Sequence, residues 1–166
     1  MPDADPIYRP DEIAELLTQV GFTHVIWIPD STTGRWESAL DQQAAWRLLR
    51  ICREGEAWPL AAGLYLGSQR PLVIMQSTGL FESGDALRNV VWDLQLPVWA
   101  VIGARNWLTP DSRDSARQFL EPILNAWRID YRVIERRQQQ TEAAAYFQSA
   151  VTAGRSQVLV LAEGRG

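Results

Sequence analysis

Apolar positions change their period along the chain, and each change marks a new element. Ile13, Leu16, Leu17 and Val20 recur at three- and four-residue steps, as on one face of a helix, and Gly21 stands where that helix would end. Phe22 to Ile28 gathers β-branched and aromatic residues and predicts a first strand. The polar turn Pro29-Asp30-Ser31-Thr32-Thr33-Gly34 follows, then a short helix expected over 36–43. Trp46 to Cys52 fits either period; a strand is expected because the elements around it alternate, with Cys52 as a buried spacer. Arg53 to Gly67 places two carboxylates, Glu54 and Glu56, before a helix rich in Ala and Gly. Its small residues, Ala57, Ala61, Ala62 and Gly63, permit close approach to a sheet or another subunit.

Pro71 to Gln76 is a short apolar run of the kind buried on both faces of a parallel sheet. It leads into Gln76 to Gly84, expected as a loop, and Ala86, Val90, Val91 and Leu94 then mark a helix. Val98 to Ile102 predicts a fourth strand, Arg105 to Ser115 a polar loop, and Pro122 a helix that starts near Glu121. Tyr131 to Ile134, Thr141 to Val151 before Gly154, and Val158 to Leu161 complete the alternation as strand, helix and strand. Connections too long for hairpins make this an α/β chain. The expectation is one three-layer domain over 1–166, with a six-stranded, mostly parallel sheet and helices on both faces. Residues 1–10 are expected to form a flexible N-terminal segment. In such a sheet the polar loops after Ile28, Cys52, Met75 and Ile102 share the carboxyl edge, where ligands bind.

Composition narrows what that edge can do. The net charge is −4 and the sixteen basic side chains are all arginine, scattered rather than clustered, so no nucleic-acid footprint is visible. One cysteine and one histidine, His24, leave no material for an internal disulfide, a Cys cluster or a His-based triad. The N-terminus lacks a signal-peptide core and no apolar run approaches a membrane span, so a cytoplasmic protein is expected. Eight tryptophans are many for 166 residues, and some are expected at a subunit interface. Neither glycine-rich phosphate motif is present. A carboxylate at the carboxyl edge, near apolar surface, could serve as a general acid or base. Glu54 and Glu56 are equally explained as complements to the positive end of a helix, and Asp30 and Ser31 as a turn and a cap.

Taken together, the loops resemble the pyrimidine-binding (PYR) domain of thiamine-diphosphate enzymes. The likeness is nearest to the α subunit of sulfopyruvate decarboxylase and the first domain of phosphonopyruvate decarboxylase. Ile28-Pro29-Asp30-Ser31 is similar to the family's Val-Pro-Asp-Ser turn, and Glu54-Gly55-Glu56-Ala57 with Leu60-Ala61-Ala62-Gly63 to its Glu-Gly-Asn-Ala…Leu-Ala-Ala-Gly segment. Met75-Gln76-Ser77-Thr78-Gly79-Leu80 resembles Met-Gln-Ser/Asn-Ser-Gly-Leu, and Leu96-Pro97 with Ile102-Gly103-Ala104-Arg105 resembles the Ile-Pro strand ending in Arg-Gly. The likeness runs from about Ile13 to Leu161.

The resemblance implies a catalytic role for Glu54, which stands nine residues before Gly63 as in many relatives. There such a glutamate hydrogen-bonds N1′ of the cofactor's aminopyrimidine and favours its imino tautomer. Glu56 is the second choice. By the same likeness Gln76, Ser77, Thr78 and Gly79 would line the pyrimidine pocket. Asp30 and Ser31 would face the substrate, with Ser31 able to shuttle a proton, and Arg105 would neutralise an acidic substrate. The family's Gly-Asp-Gly…Asn motif for Mg2+ and diphosphate is missing, so thiamine diphosphate and Mg2+ would need a diphosphate-binding β subunit, in a heterotetramer or larger assembly. The implied activity is decarboxylation of a 2-oxo acid, with a carboligase or a non-catalytic PYR-like regulatory subunit as alternatives. Leu80-Phe81-Glu82-Ser83 replaces the relatives' Leu-Gly-Asn-Ser/Ala, and Arg105-Asn106 replaces Arg-Gly. With Trp36 and Trp58 expected beside the site, these departures point to a bulkier or less charged substrate than sulfopyruvate.

Overall fold

The computed structural model describes residues 6–31 and 33–163. Helix α1 (Pro10–Val20) leads into β1 (His24–Trp27), and a 3₁₀ turn (Gly34–Trp36) runs into α2 (Glu37–Asp41) and β2 (Arg47–Arg50). A second 3₁₀ turn (Glu54–Glu56) opens α3 (Ala57–Leu66), which returns to β3 (Pro71–Gln76). Then come α4 (Ser77–Glu82), α5 (Gly84–Arg88), a π-helical turn (Asn89–Asp93) and β4 (Trp99–Ala104). The chain ends with α6 (Ala116–Ala126), β5 (Tyr131–Ile134), α7 (Gln140–Ala153) and β6 (Gln157–Ala162).

All strand pairs are parallel, and the six strands lie in the order β2-β1-β3-β4-β6-β5. The sheet is therefore wholly parallel, and the three-layer α/β architecture expected from the alternation is the one found. Successive side chains of the central strands enter different cores. Leu72 and Ile74 pack with α1, α2 and α7 on one face, while Val73 and Met75 pack with α3 to α6 on the other. The strand order reverses between β1 and β3, because the chain leaves β1 for the edge strand β2 before returning to β3. Their carboxyl ends consequently flank a crevice, the usual ligand position in open α/β sheets.

Three local expectations are corrected. The expected loop from Gln76 to Gly84 is instead the end of β3, the helix α4 over Ser77–Glu82 and the start of α5, despite Ser, Thr and Gly in its sequence. Leu80 is wholly buried, and the Ser83 hydroxyl donates to Gly79 O at 2.7 Å, so packing overrides weak propensity. Helix α6 begins at Ala116, well before Pro122. Ala116, Leu120 and Leu124 form its buried stripe, and Asp114 Oδ1 accepts the Ala116 N–H at 3.0 Å. Pro122 sits inside that helix and is exposed, at the cost of one backbone hydrogen bond. Cys52 is exposed, because the edge strand β2 ends at Arg50 and the chain is already turning toward Glu54.

Of the N-terminal segment, residues 1–5 lie outside the described residues. Pro6 to Pro10 is anchored: Ile7 and Tyr8 are buried, Trp36 Nε1 donates to Tyr8 O at 3.1 Å, and Arg137 donates to Pro6 O at 2.9 Å. Glu12 is the node of this corner. Its carboxylate accepts from the Arg9 N–H at 2.9 Å, from Gln140 Nε2 at 3.1 Å and from the Arg137 guanidinium. Burial works against the charge, but Arg137, the Arg9 N–H and Gln140 outweigh it and lower the Glu12 pKa to about 2. A carboxyl so depressed contributes stability above the pKa of its unfolded form, near 4.5, and that contribution disappears as pH falls toward about 2. Glu12→Gln is expected to destabilise the protein by about 2 kcal/mol at neutral pH, and by progressively less below pH of about 4.5. Urea unfolding of both proteins at neutral and acid pH checks this.

Candidate functional site

The sheet brings Asp30, Glu54, Gln76 and Arg105 to one edge, since they follow β1, β2, β3 and β4 respectively. Helix α3 carries the chain from β2 across β1 to β3, so the turn that opens it meets α4. There Glu54 lies against Gly79. A Cβ built on Gly79 would come within 2.6 Å of Glu54 Cγ and 3.0 Å of Glu54 Oε1. Only a glycine accommodates this approach. Glu54 is half-buried, whereas Glu56, two residues on, is exposed. Of the two carboxylates, Glu54 is the one seated on the Gly79 backbone.

Beside this contact the start of α4 holds polar atoms without protein partners. Gln76 Oε1 and Ser77 Oγ are both buried and make no hydrogen bond, although Ser77 as a whole is only 1 % exposed. Leaving such a group unpaired costs about 1–3 kcal/mol. Glu54, Gln76 and Ser77 thus all lie at the carboxyl edge of the sheet, with Thr78 half-buried at the start of α4.

The other expected residues are placed differently. Asp30 organises its own turn: Oδ1 accepts the Thr33 N–H and Oδ2 the Thr33 hydroxyl, each at 2.8 Å. The same hydroxyl accepts from Trp27 Nε1 at 2.8 Å, tying the turn to the core. Ser31 is exposed at the tip of that turn. Arg105 forms an ion pair with Asp114 at 3.0 Å. The Ala116 N–H holds Asp114 below the usual carboxylate range against the opposing effect of burial, helped by Asn106 and Arg105. Both acidic and basic ends of the edge are therefore engaged within the chain. His24 starts β1 at the opposite edge of the sheet, where its Nδ1 lies 3.0 Å from Thr23 Oγ1.

Trp36 and Trp58, expected beside the site, are buried within the fold. They are 3 % and 0 % exposed. Trp58 Nε1 donates to Ser83 Oγ at 2.8 Å and so locks α3 to the α4–α5 junction. Trp27, Trp46 and Trp99 are buried as well, which leaves Trp92 as the prominently exposed tryptophan among the described residues. Glu82 is the residue near the site whose placement the sequence did not reveal. Its carboxylate accepts the Gly55 N–H at 3.1 Å and pairs with Arg53 at 3.4 Å. A Gly-x-x-Glu spacing becomes meaningful only once the segment is helical, because it then sets Glu82 one turn beyond Gly79.

A surface depression of about 540 Å3 beside Glu135, Arg136, Gln139 and Glu142 lies near the edge strand β5, away from this group. Among the described residues, no cluster of His, Cys, Asp or Glu is placed to hold a metal ion, and no helix is long and apolar enough to cross a membrane. No family model and no curated protein sequence matches the chain.

Gly79→Ala tests the central contact. The added methyl must displace the Glu54 side chain, while the helical backbone at 79 accepts alanine readily. The expected result is a melting temperature within about 4 °C of the native protein, with any function that depends on Glu54 reduced at least about tenfold. Thermal unfolding and the activity assay described below measure the two effects separately.

Proposed function

We propose that this chain is the pyrimidine-binding subunit of a two-subunit thiamine-diphosphate-dependent 2-oxo acid decarboxylase, with Glu54 as the carboxylate that engages the aminopyrimidine. The observation that carries the reading is Glu54 seated on Gly79, which follows the buried, unpartnered Gln76 Oε1 and Ser77 Oγ in sequence. These residues fit the group. An aminopyrimidine is a flat ring with a ring nitrogen and an exocyclic amine. A carboxyl, an amide oxygen and a hydroxyl are the partners such a ring requires.

In this reading Glu54 holds a proton at the pyrimidine nitrogen, Gln76 and Ser77 orient the ring, and Gly79 leaves room for Glu54. Ser31 stands free at the Asp30 turn to meet substrate, and Asp30 fixes that turn. Thiamine diphosphate, when bound, supplies the electron sink for loss of carbon dioxide. Arg105 would meet an acidic substrate only by sharing or leaving Asp114. Diphosphate and Mg2+ would be held by a partner subunit, consistent with the missing Gly-Asp-Gly…Asn motif.

The test combines this chain with its candidate diphosphate-binding subunit, thiamine diphosphate and Mg2+, and follows carbon dioxide release from sulfopyruvate and a panel of 2-oxo acids. Activity that requires both chains and falls about a hundredfold or more in Glu54→Gln is the expected outcome. Full activity in Glu54→Gln would remove the assignment of Glu54. A stable complex with no turnover on any substrate would instead make the chain a regulatory subunit.

A further inference from the structure

We infer that Glu82 is a positioning residue for Glu54, gripping the 3₁₀ turn on both sides of it. This rests on the reading of Glu54 given above, but the grip itself is a property of the chain alone. One Glu82 oxygen, Oε2, accepts the N–H of Gly55 at 3.1 Å, and the other, Oε1, lies 3.4 Å from the Arg53 guanidinium. Residues 53 and 55 flank Glu54, so a single carboxylate meets the Arg53 side chain before it and the Gly55 backbone after it. The turn's own bonds there run from the Glu56 N–H to Arg53 O at 3.1 Å and from the Ala57 N–H to Glu54 O.

Helix α4 thus holds Glu54 in two ways. Gly79 supplies the surface on which the side chain lies, and Glu82, one helical turn later, supplies the anchor for its backbone. The anchor is itself braced, since the next residue, Ser83, accepts from Trp58 Nε1 and donates to Gly79 O. Backbone N–H groups at a helix start have no intrahelical acceptor, so the Gly55 N–H would otherwise face solvent. Glu82 is partly exposed, with 43 % of its side chain accessible, so the ion pair with Arg53 is worth little by itself. The bond to the Gly55 N–H is the one that sets direction, because it fixes the peptide immediately after Glu54. Substituting that acceptor loosens the turn without opening the core.

Glu82→Ala and Glu82→Gln in the full chain provide the test, because glutamine keeps an oxygen acceptor and alanine does not. In the isolated chain, Gly55 amide hydrogen exchange is expected to quicken about tenfold or more in Glu82→Ala and to stay within about threefold of native in Glu82→Gln. With the partner subunit and cofactor, Glu82→Ala is expected to lower kcat about tenfold with KM changed less than about twofold, and Glu82→Gln to restore most of it. Unchanged Gly55 exchange in Glu82→Ala overturns the inference. So does a quickened exchange with native kcat in an assembly that Glu54→Gln inactivates. If the exchange behaves as expected while Glu54→Gln is fully active, the grip stands and the assignment of Glu54 fails.

Discussion

The edge of this sheet depends on an approach of Glu54 to residue 79 that no side chain at 79 would permit. Strands β2 and β3 are not neighbours; β1 lies between them. For a residue after β2 to touch one after β3, the chain must cross β1, and α3 makes that crossing. Its inner side is small or flat where the sheet is near, with Ala57, Trp58, Ala61 and Ala62 all buried. Small residues lower the helix onto the strands, and the lowered helix brings its opening turn to α4. A bulkier α3 would lift Glu54 away from β3 and dissolve the site without altering the topology.

The parallel sheet was legible in the sequence because its strands carry two-sided burial. Runs such as Leu72 to Met75 have no polar position to confuse the period, and both of their faces found helices. The edge elements were harder. Trp46 to Cys52 read as a strand only by alternation, and the exposure of Arg47, Arg50 and Cys52 follows from β2 having a neighbour on one side alone. Proline misled in the usual direction. Pro122 marks a first turn when it starts a helix, but here the stripe Ala116, Leu120 and Leu124, with Asp114 at its head, outweighs one lost backbone bond.

The candidate site was legible to a different degree. Its residues could be placed on one edge because topology alone does that, whereas their partners could not. Asp30 and Arg105 looked like ligands for a substrate, and the structure gives each a protein partner through Thr33 and Asp114. The helix over Ser77 to Glu82 was hidden because its stability comes from Leu80 and Ser83, which are tertiary contacts, rather than from propensity. With the helix hidden, the relation of Glu82 to Gly55 was hidden too. Tryptophans misled for a related reason: an indole N–H needs an acceptor when buried, and Ser83 Oγ and Tyr8 O supply it inside the fold.

Hydrogen-bond accounting then separates the edge into two kinds of residue. Asp30 and Asp114 spend their oxygens on N–H, O–H and guanidinium groups of this chain, so they shape turns first. Gln76 Oε1 and Ser77 Oγ spend nothing, though each is buried. Thr109 Oγ1, in the loop after β4, and Gln157 Oε1, at the start of β6, are likewise buried without a partner, and leaving such a group unpaired costs about 1–3 kcal/mol. Glu54 Cγ and Oε1 fill the space that a side chain at 79 would take, so the missing Cβ is what seats the carboxylate against the junction of β3 and α4.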